Sequence, residues 1–187
     1  MRMISFVAGM IVVLSTAVWP EQAGGSWRDA VLLYAPMDGT ADAVRAGGDA
    51  TAKLAGAAAF APGRRGMGLA LPKEAGCSYA VEGNFSREGG TLCAWVSLNR
   101  DTDTWDMQQG SWWQWLFGVR DAPADPRNRN DLRVFFDRTL ALQYATSRPQ
   151  PSTGSISVPN LHWAAKSWHH VGVTFRSGEI KVYVDGE

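Results

Sequence analysis

The clearest alternation of apolar and polar residues lies at the end of the chain. From Val171 to Phe175 every second residue is Val or Phe, and from Ile180 to Val184 every second residue is Ile or Val. A period of two is typical of β-strands with one buried face. The Gly-containing segment 176–179 has the length of a hairpin turn. The pattern therefore predicts an antiparallel hairpin with three apolar pairs on one face, and a one-residue slip would expose all six residues.

The opposite face of this hairpin is polar. There the symmetric register places His170 across from Asp185, and we expect a hydrogen bond between the imidazole and the carboxylate. Because adjacent strand residues point to opposite faces, His169 and His170 cannot chelate one metal ion together. Trp168 is expected in the core.

Similar short apolar segments recur upstream, separated by Gly, Pro and Asp. In Thr91–Leu98 the even-numbered residues form one apolar face, and further strands are predicted at 31–37, 57–60, 69–71, 78–81, 112–119, 132–136 and 140–144. The segment 148–159, rich in Pro, Ser and Gly, is predicted as a loop. No segment has a convincing helical period. The pattern predicts an all-β sandwich.

The first residues differ in character from the rest. Arg2 precedes an apolar run, Ile4 to Val18, which is broken by small residues and contains Ser15-Thr16-Ala17 near its end. The run is too short for a comfortable membrane span, which needs about 20 residues. We expect residues 1–23 to be a secretory signal, cleaved after Ala17 or Ala23. Residues 24–187 would then form one domain, without a membrane span, that is secreted, periplasmic or at the cell surface.

Charge and cysteine content limit the function classes. The 187 residues contain 18 Lys plus Arg and 18 Asp plus Glu, and this zero net charge gives no indication of a nucleic-acid partner. Cys77 and Cys93 both lie in strand-like segments of a chain expected to be exported. A disulfide between them would stabilise the fold by roughly 3 kcal/mol. Two buried thiols are the alternative.

Three motifs resemble a known family. They are Ser167–Phe175 followed by Ile180–Gly186, Tyr34–Gly39, and Gly90–Val96 with its Trp95. Together they resemble laminin-G-like domains of the concanavalin A-like lectin/glucanase superfamily. The resemblance implies a jelly roll of two curved antiparallel sheets and, commonly, the binding of an extracellular glycan or protein; it does not imply an enzyme.

The resemblance implies two further features. Strands after the signature hairpin return beside the first strand in this family, whereas this chain stops at Glu187. We therefore expect either a C-terminal truncation or a fold that closes with fewer strands. Related domains also carry calcium near the first-strand loop, which makes Asp38, with Asp42, a candidate pair of Ca²⁺ ligands. The alternative is that both residues form turns.

A concentration of tryptophan in the middle of the chain suggests a ligand platform. Exposed indole faces hold the apolar side of a sugar ring, while polar groups satisfy its hydroxyls. The candidate ligand-binding residues are Trp105, Trp113 and Trp115 with Arg120 and Arg133. Core packing is the alternative role for these tryptophans.

One acidic segment raises the possibility of catalysis. The spacing of Asp101, Asp103 and Asp106 resembles the Glu-x-Asp-x-x-Glu motif of glucanases in the same superfamily, and hydrolysis needs two carboxyls about 5 to 9.5 Å apart. The aspartates are shorter than the glutamates of that motif, and the segment is predicted as a loop. The sequence has no nucleophile elbow, phosphate-binding loop or Cys/His metal spacing. A non-catalytic lectin-like module is thus favoured over a glycoside hydrolase or a structural module of a larger envelope protein.

Overall fold

The computed structural model describes residues 3–6, 11–15, 27–72, 74–86, 88–104, 114–120, 131–137, 139–146, 152–176 and 179–187. These residues form strands and two short 3-10 helices, Trp27–Ala30 and Thr102–Thr104, which confirms the prediction of an all-β protein. Among the helices in this part of the chain, none has the length and apolar character to cross a membrane.

The described residues form fifteen strands, numbered in chain order. They are β1 (Met3–Phe6), β2 (Ile11–Ser15), β3 (Val31–Ala35), β4 (Arg45–Ala46), β5 (Lys53–Ala55), β6 (Ala59–Pro62), β7 (Met67–Ala70), β8 (Gly76–Ala80), β9 (Gly89–Ser97), β10 (Gln114–Arg120), β11 (Asp131–Asp137), β12 (Thr139–Thr146), β13 (Ser152–Val158), β14 (Trp168–Arg176) and β15 (Glu179–Val184).

The strands form three antiparallel sheets. A seven-stranded sheet has the order β13-β12-β11-β10-β1-β8-β5, and a six-stranded sheet has the order β15-β14-β9-β2-β3-β4. The third sheet is the two-stranded ribbon β6–β7. Within the described residues, these two strands pair with each other and with no strand of the larger sheets.

The two large sheets share one hydrophobic core. Leu92 and Val173 of the six-stranded sheet are fully buried and belong to the same cluster as Tyr79, Phe117 and Phe136 of the seven-stranded sheet. Each large apolar side chain buried in this way stabilises the fold by about 1.5–3 kcal/mol. The core therefore holds together elements that are far apart in the sequence.

The predicted register of the C-terminal hairpin is confirmed. The cross-strand pairs are Val171–Val184, Gly172–Tyr183, Val173–Val182, Thr174–Lys181 and Phe175–Ile180. On its other side β14 pairs with β9 along its whole length. The alternation predicted for β9 is also confirmed, because Leu92, Ala94, Val96 and Leu98 are buried and the residues between them are only half-buried.

Part of the segment predicted as a secretory signal forms strands in the structure. β1 pairs with β10 and β8, and β2 pairs with β9 and β3. Both strands therefore have a neighbour on each side, within the seven-stranded and six-stranded sheets respectively. Cleavage after Ala17 or Ala23 stays a prediction, and it would take an internal strand from each sheet.

The predicted loop at 148–159 is wrong over most of its length, since Ser152–Val158 forms β13. The strand pairs only with β12 at the edge of the seven-stranded sheet. Ile156 and Val158 pack against the core while Ser155 and Ser157 are exposed. An edge strand needs few apolar residues, so its Ser and Gly content resembled that of a turn.

The prediction of a disulfide between Cys77 and Cys93 is also wrong. Cys77 lies in β8 of the seven-stranded sheet and Cys93 in β9 of the six-stranded sheet, and both remain thiols. Cys77 faces the shared core, whereas Cys93 lies on the half-buried face of β9. The core therefore separates strands that sequence proximity suggested were neighbours.

Removal of residues 1–23 should destabilise the fold strongly, because it leaves the backbone groups of β8, β10, β3 and β9 without the pairing that β1 and β2 supply. We expect residues 24–187 to melt at a lower temperature than residues 1–187, or to self-associate, as measured by circular dichroism and light scattering. A monomer of residues 24–187 with an unchanged melting temperature would show that β1 and β2 contribute nothing.

Cys77 should resist alkylation in the folded protein. Burial raises the pKa of its thiol to about 11, so little thiolate forms at about pH 8, where iodoacetamide reacts readily with exposed cysteines. Peptide mass spectrometry should show Cys93 modified first and both cysteines modified after denaturation without reductant. Equal rates at the two positions, or a mass that corresponds to a disulfide, would contradict this.

Candidate ligand-binding site

A cleft of about 520 Å³ lies on the side of the six-stranded sheet that faces away from the core. Four parts of the chain line it: the end of β3 with the residues that follow, the turn of the ribbon β6–β7, β9 and β14. The lining residues are Tyr34, Pro36, Asp38, Arg64, Arg65, Met67, Gly68, Trp95 and Trp168.

Strand alternation explains why two tryptophans face this cleft. Trp95 lies between the buried residues Ala94 and Val96 of β9, so its side chain points away from the core. In β14, Trp168 has the opposite parity to buried Val171. Trp168 pairs with Ser97, one diagonal position from Trp95, close enough for large side chains to share a surface. The prediction that Trp168 lies in the core is wrong, since its side chain is half-buried and lines the cleft.

A tight turn of the ribbon brings arginine over Trp95. Gly63 donates its backbone N–H to the Gly66 carbonyl oxygen at 2.9 Å, which closes the turn around Arg64 and Arg65. The Arg64 guanidinium carbon lies 3.6 Å from the centroid of the Trp95 ring. This is a cation–π contact, typically worth about 0.5–1 kcal/mol at an exposed site. The Trp95 ring also contacts that of His170, with a centroid separation of 5.2 Å.

Asp38 connects the end of β3 to this turn. The Met67 backbone N–H donates to Asp38 Oδ1 at 2.8 Å. A Cβ at residue 66 would lie 2.6 Å from the same oxygen, so glycine is required there. Met37 is buried and has a φ of 60°, an uncommon value for a non-glycine residue, and this turns the chain so that Asp38 reaches the ribbon. The cleft therefore has a fixed carboxylate at one side.

Two arginines and one aspartate give the lining of the cleft an excess of positive charge. Arg64 and Arg65 are both exposed, and within the described residues neither makes a salt bridge. The Asp38 carboxylate accepts a backbone N–H instead. The wall formed by the ribbon turn is therefore cationic and able to donate several hydrogen bonds to a ligand.

The candidate calcium ligands are held by backbone amides. Asp42 Oδ1 accepts the Ala52 N–H at 2.8 Å, as Asp38 Oδ1 accepts that of Met67. Across the residues that the structure describes, no cluster of three or more His, Cys, Asp or Glu side chains could hold a metal ion. A calcium site at Asp38 and Asp42 stays a prediction.

The predicted tryptophan platform is only partly within the described residues. Trp105 and Trp113 lie outside them, and of Arg120 the structure describes only the backbone, at the end of β10. Trp115 is half-buried in β10, with the Arg133 guanidinium carbon 5.1 Å from its ring centroid. Both belong to the seven-stranded sheet and neither lines the cleft.

The acidic segment holds the loop before β14. Asp101 Oδ1 accepts the Ala165 N–H at 2.7 Å, and Asp103 Oδ1 lies 2.7 Å from Nδ1 of His162. Between them the Thr102 hydroxyl donates to the Leu161 carbonyl and accepts the Trp163 N–H. Asp106 lies outside the described residues. One oxygen of each described carboxylate thus makes a contact with the loop before β14, and neither residue lines the cleft.

A hydrogen-bonded series of Ser167, His169 and Asp185 lies at the end of β14. Ser167 Oγ is 2.7 Å from His169 Nε2, and His169 Nδ1 is 2.8 Å from Asp185 Oδ2. The His169 ring stacks on Trp163 at 4.2 Å with an interplanar angle of 3°. The expected bond of Asp185 to the His170 ring is wrong. His170 donates its backbone N–H to Asp185 Oδ1 at 2.8 Å, because Asp185 follows β15 with a φ of 53° and no longer obeys strand alternation.

The side chains follow the order Ser, His, Asp of a serine hydrolase triad, but the N–H donors that such an enzyme needs are not available. A serine nucleophile requires nearby N–H groups that stabilise the negatively charged oxygen of the reaction intermediate. The amides of Ala165, Lys166 and Ser167 already donate to Asp101 Oδ1, the Leu98 carbonyl and the Ala164 carbonyl. The Ser167 Oγ also lies 2.6 Å from the Ala164 carbonyl oxygen, an alternative acceptor for its proton. These hydrogen bonds therefore connect the end of the hairpin to the preceding loop.

The hydrogen bonds that Asp185 accepts should weaken in acid. Desolvation opposes ionisation of Asp185, but the hydrogen bonds from His169 and the His170 amide outweigh it and lower the pKa of the carboxyl. A lowered folded-state pKa gives stability that is present above the ordinary value of 3.8 and is lost as pH falls through the folded value.

Asp185→Asn should therefore lower the free energy of unfolding by about 1 kcal/mol at about pH 7. Urea unfolding should show this difference shrinking as the pH falls below 3.8 and vanishing once the pH lies below the folded-state pKa, because the wild-type carboxyl is then protonated. Glu187→Gln, a change at an exposed carboxylate, is the matched control and should have no effect. A difference for Asp185→Asn that is independent of pH would contradict the charged hydrogen bonds.

Comparison of the chain with models of protein families, with curated proteins and with solved structures finds no match. The resemblance to laminin-G-like domains therefore stays a prediction based on the three motifs.

Proposed function

We propose that the protein is a secreted, non-catalytic glycan-binding module whose ligand occupies the cleft between Trp95, Trp168 and the ribbon turn. The observation that carries this proposal is the cleft itself, in which two indoles, one carboxylate and two arginines surround about 520 Å³. Sugar sites combine an apolar platform with a few polar groups that fix orientation. The six-stranded sheet supplies the platform and the ribbon supplies polar groups.

Trp168 is the better stacking surface of the two tryptophans. Arg64 lies over the Trp95 ring and His170 contacts it. The Trp168 ring, in contrast, has a glycine as its neighbour on the ribbon, since a Cβ at Gly68 would lie 3.5 Å from Cη2 of the indole. A pyranose ring could therefore pack on Trp168 while its hydroxyls donate to Asp38 and accept from the arginines.

The distribution of carboxylates favours binding over hydrolysis. A glycosidase needs two carboxyls on either side of the scissile bond. Among the described residues that line the cleft, Asp38 is the one carboxylate. The alternative, a glycoside hydrolase that uses Asp101 and Asp103, would place the reaction away from the cleft, because neither residue lines it.

The fold that we propose is a laminin-G-like jelly roll. The support comes from the signature hairpin with its confirmed register and from two antiparallel sheets that share one core. Calcium bound through Asp38 and Asp42 is a further proposal, and each carboxylate would have one oxygen that is not used by the amide contact described above.

Glycan binding should be lost when Trp168 is replaced. We expect a glycan array to identify a ligand for residues 1–187, and titration followed by calorimetry to show about tenfold or weaker affinity for Trp168→Ala, since loss of stacking costs about 1.4 kcal/mol. Trp115→Ala is the matched control and should bind normally. Measurement with calcium and with chelator tests the proposed ion.

The opposite result, with Trp115→Ala inactive and Trp168→Ala unaffected, would move the site to the seven-stranded sheet and refute the cleft. Absence of binding to every glycan class would refute the function and favour a purely structural module. Release of reducing ends from the bound glycan, abolished by Asp101→Asn, would show that the protein is a hydrolase.

A further inference from the structure

We infer that the cleft selects acidic glycans, with the carboxylate of a hexuronate residue bound by Arg64 and Arg65 and its pyranose ring packed on Trp168. This inference rests on the proposed glycan-binding function and specifies its ligand class. The inference follows from the position of Arg64 over the Trp95 ring, because a site for neutral sugars would not require a cation there.

The Arg64 guanidinium is held in place before any ligand arrives. Its carbon atom lies 3.6 Å from the Trp95 ring centroid, and the closed turn between Gly63 and Gly66 fixes the backbone on both sides. A stacked guanidinium keeps its N–H donors in its own plane, where the ring cannot satisfy them. Because part of the side-chain entropy is already lost, an incoming acceptor meets a preorganised donor.

The chemistry of these donors favours a planar anion. Guanidinium groups bind carboxylates through two parallel N–H···O bonds, which are about twice as strong as bonds between neutral groups. Arg65 is adjacent in the same turn and, like Arg64, makes no salt bridge within the described residues. A neutral hydroxyl would satisfy some of these donors but would leave the positive charge without a counterpart.

The other walls indicate a sugar rather than a small anion. A free carboxylate would fill little of the 520 Å³ cleft, which the indole of Trp168 also lines. Asp38 lies in the same cleft and can accept hydroxyl protons, but it would repel a second anionic substituent. One carboxylate on an otherwise hydroxylated ring matches this arrangement better than a heavily sulfated sugar.

The test compares three oligosaccharides of equal length: oligogalacturonate, neutral oligogalactoside and sulfated oligogalactoside. Calorimetric titration of residues 1–187 should show oligogalacturonate binding at least about tenfold more tightly than either other ligand. Added sodium chloride should weaken this binding, because salt screens the charge of the exposed arginines.

Arg64→Ala separates this inference from the proposed function. It should weaken oligogalacturonate binding about tenfold or more and leave the neutral oligosaccharide bound equally or more tightly, because the Trp95 face is uncovered. Arg64→Lys keeps the charge but loses the planar donor geometry, so its loss should be intermediate. Arg176→Gln changes an exposed arginine at the far end of β14, roughly 26 Å from Trp168, and should bind like the wild type.

The inference is overturned if the neutral or sulfated ligand binds more tightly than oligogalacturonate, or if Arg64→Ala lowers all affinities equally. In both cases glycan binding by the cleft still stands. If none of the three oligosaccharides binds, the inference is overturned, and the glycan array decides separately whether the proposed function stands. Unchanged thermal melting of each variant shows that a loss of affinity does not come from unfolding.

Discussion

The structure depends on the alternation of side chains in β14, which pairs with β9 on one side and β15 on the other. Side chains alternate between the two faces of a strand. Because Val171 and Val173 are fully buried, Trp168 and His170 must face the opposite side of the sheet. The same constraint acts on β9, where the burial of Ala94 and Val96 directs Trp95 outward. Core and cleft are therefore two faces of one set of pairings, and the register that excludes water on one side assembles the indoles on the other.

Polar contacts near the end of this hairpin have a separate structural role. Asp185, His169 and Ser167 hold the end of β14, and Asp101 and Asp103 hold the loop that precedes it. Several of these side chains are types that catalysis often uses. Each of them makes at least one hydrogen bond within the protein, so their proximity contributes to stability. The sequence already favoured a non-catalytic module, and the structure adds the contacts that these side chains make.

Sequence reasoning succeeded where local pattern decides structure. The register of the hairpin and the buried face of β9 follow from the positions of apolar residues alone. The same alternation predicts that Trp95 and Trp168 face away from the core, and the prediction that Trp168 lies in the core overlooked it. Arg64 could not be placed from the sequence, since its contact with Trp95 joins a ribbon turn to a strand of another sheet. The disulfide prediction failed for a related reason: closeness along the chain says little about which sheet a strand joins.

Because the ribbon β6–β7 is separate from the two large sheets, the sequence of its turn can change independently of those sheets. The ribbon pairs only with itself, while the indole platform belongs to strands locked by the core. Substitutions or insertions between Gly63 and Gly66 would alter which groups overhang the platform without shifting a single strand pairing. The chemistry of the cleft is thereby uncoupled from the architecture, and a small stretch of chain can change the groups around the cleft on an unchanged scaffold.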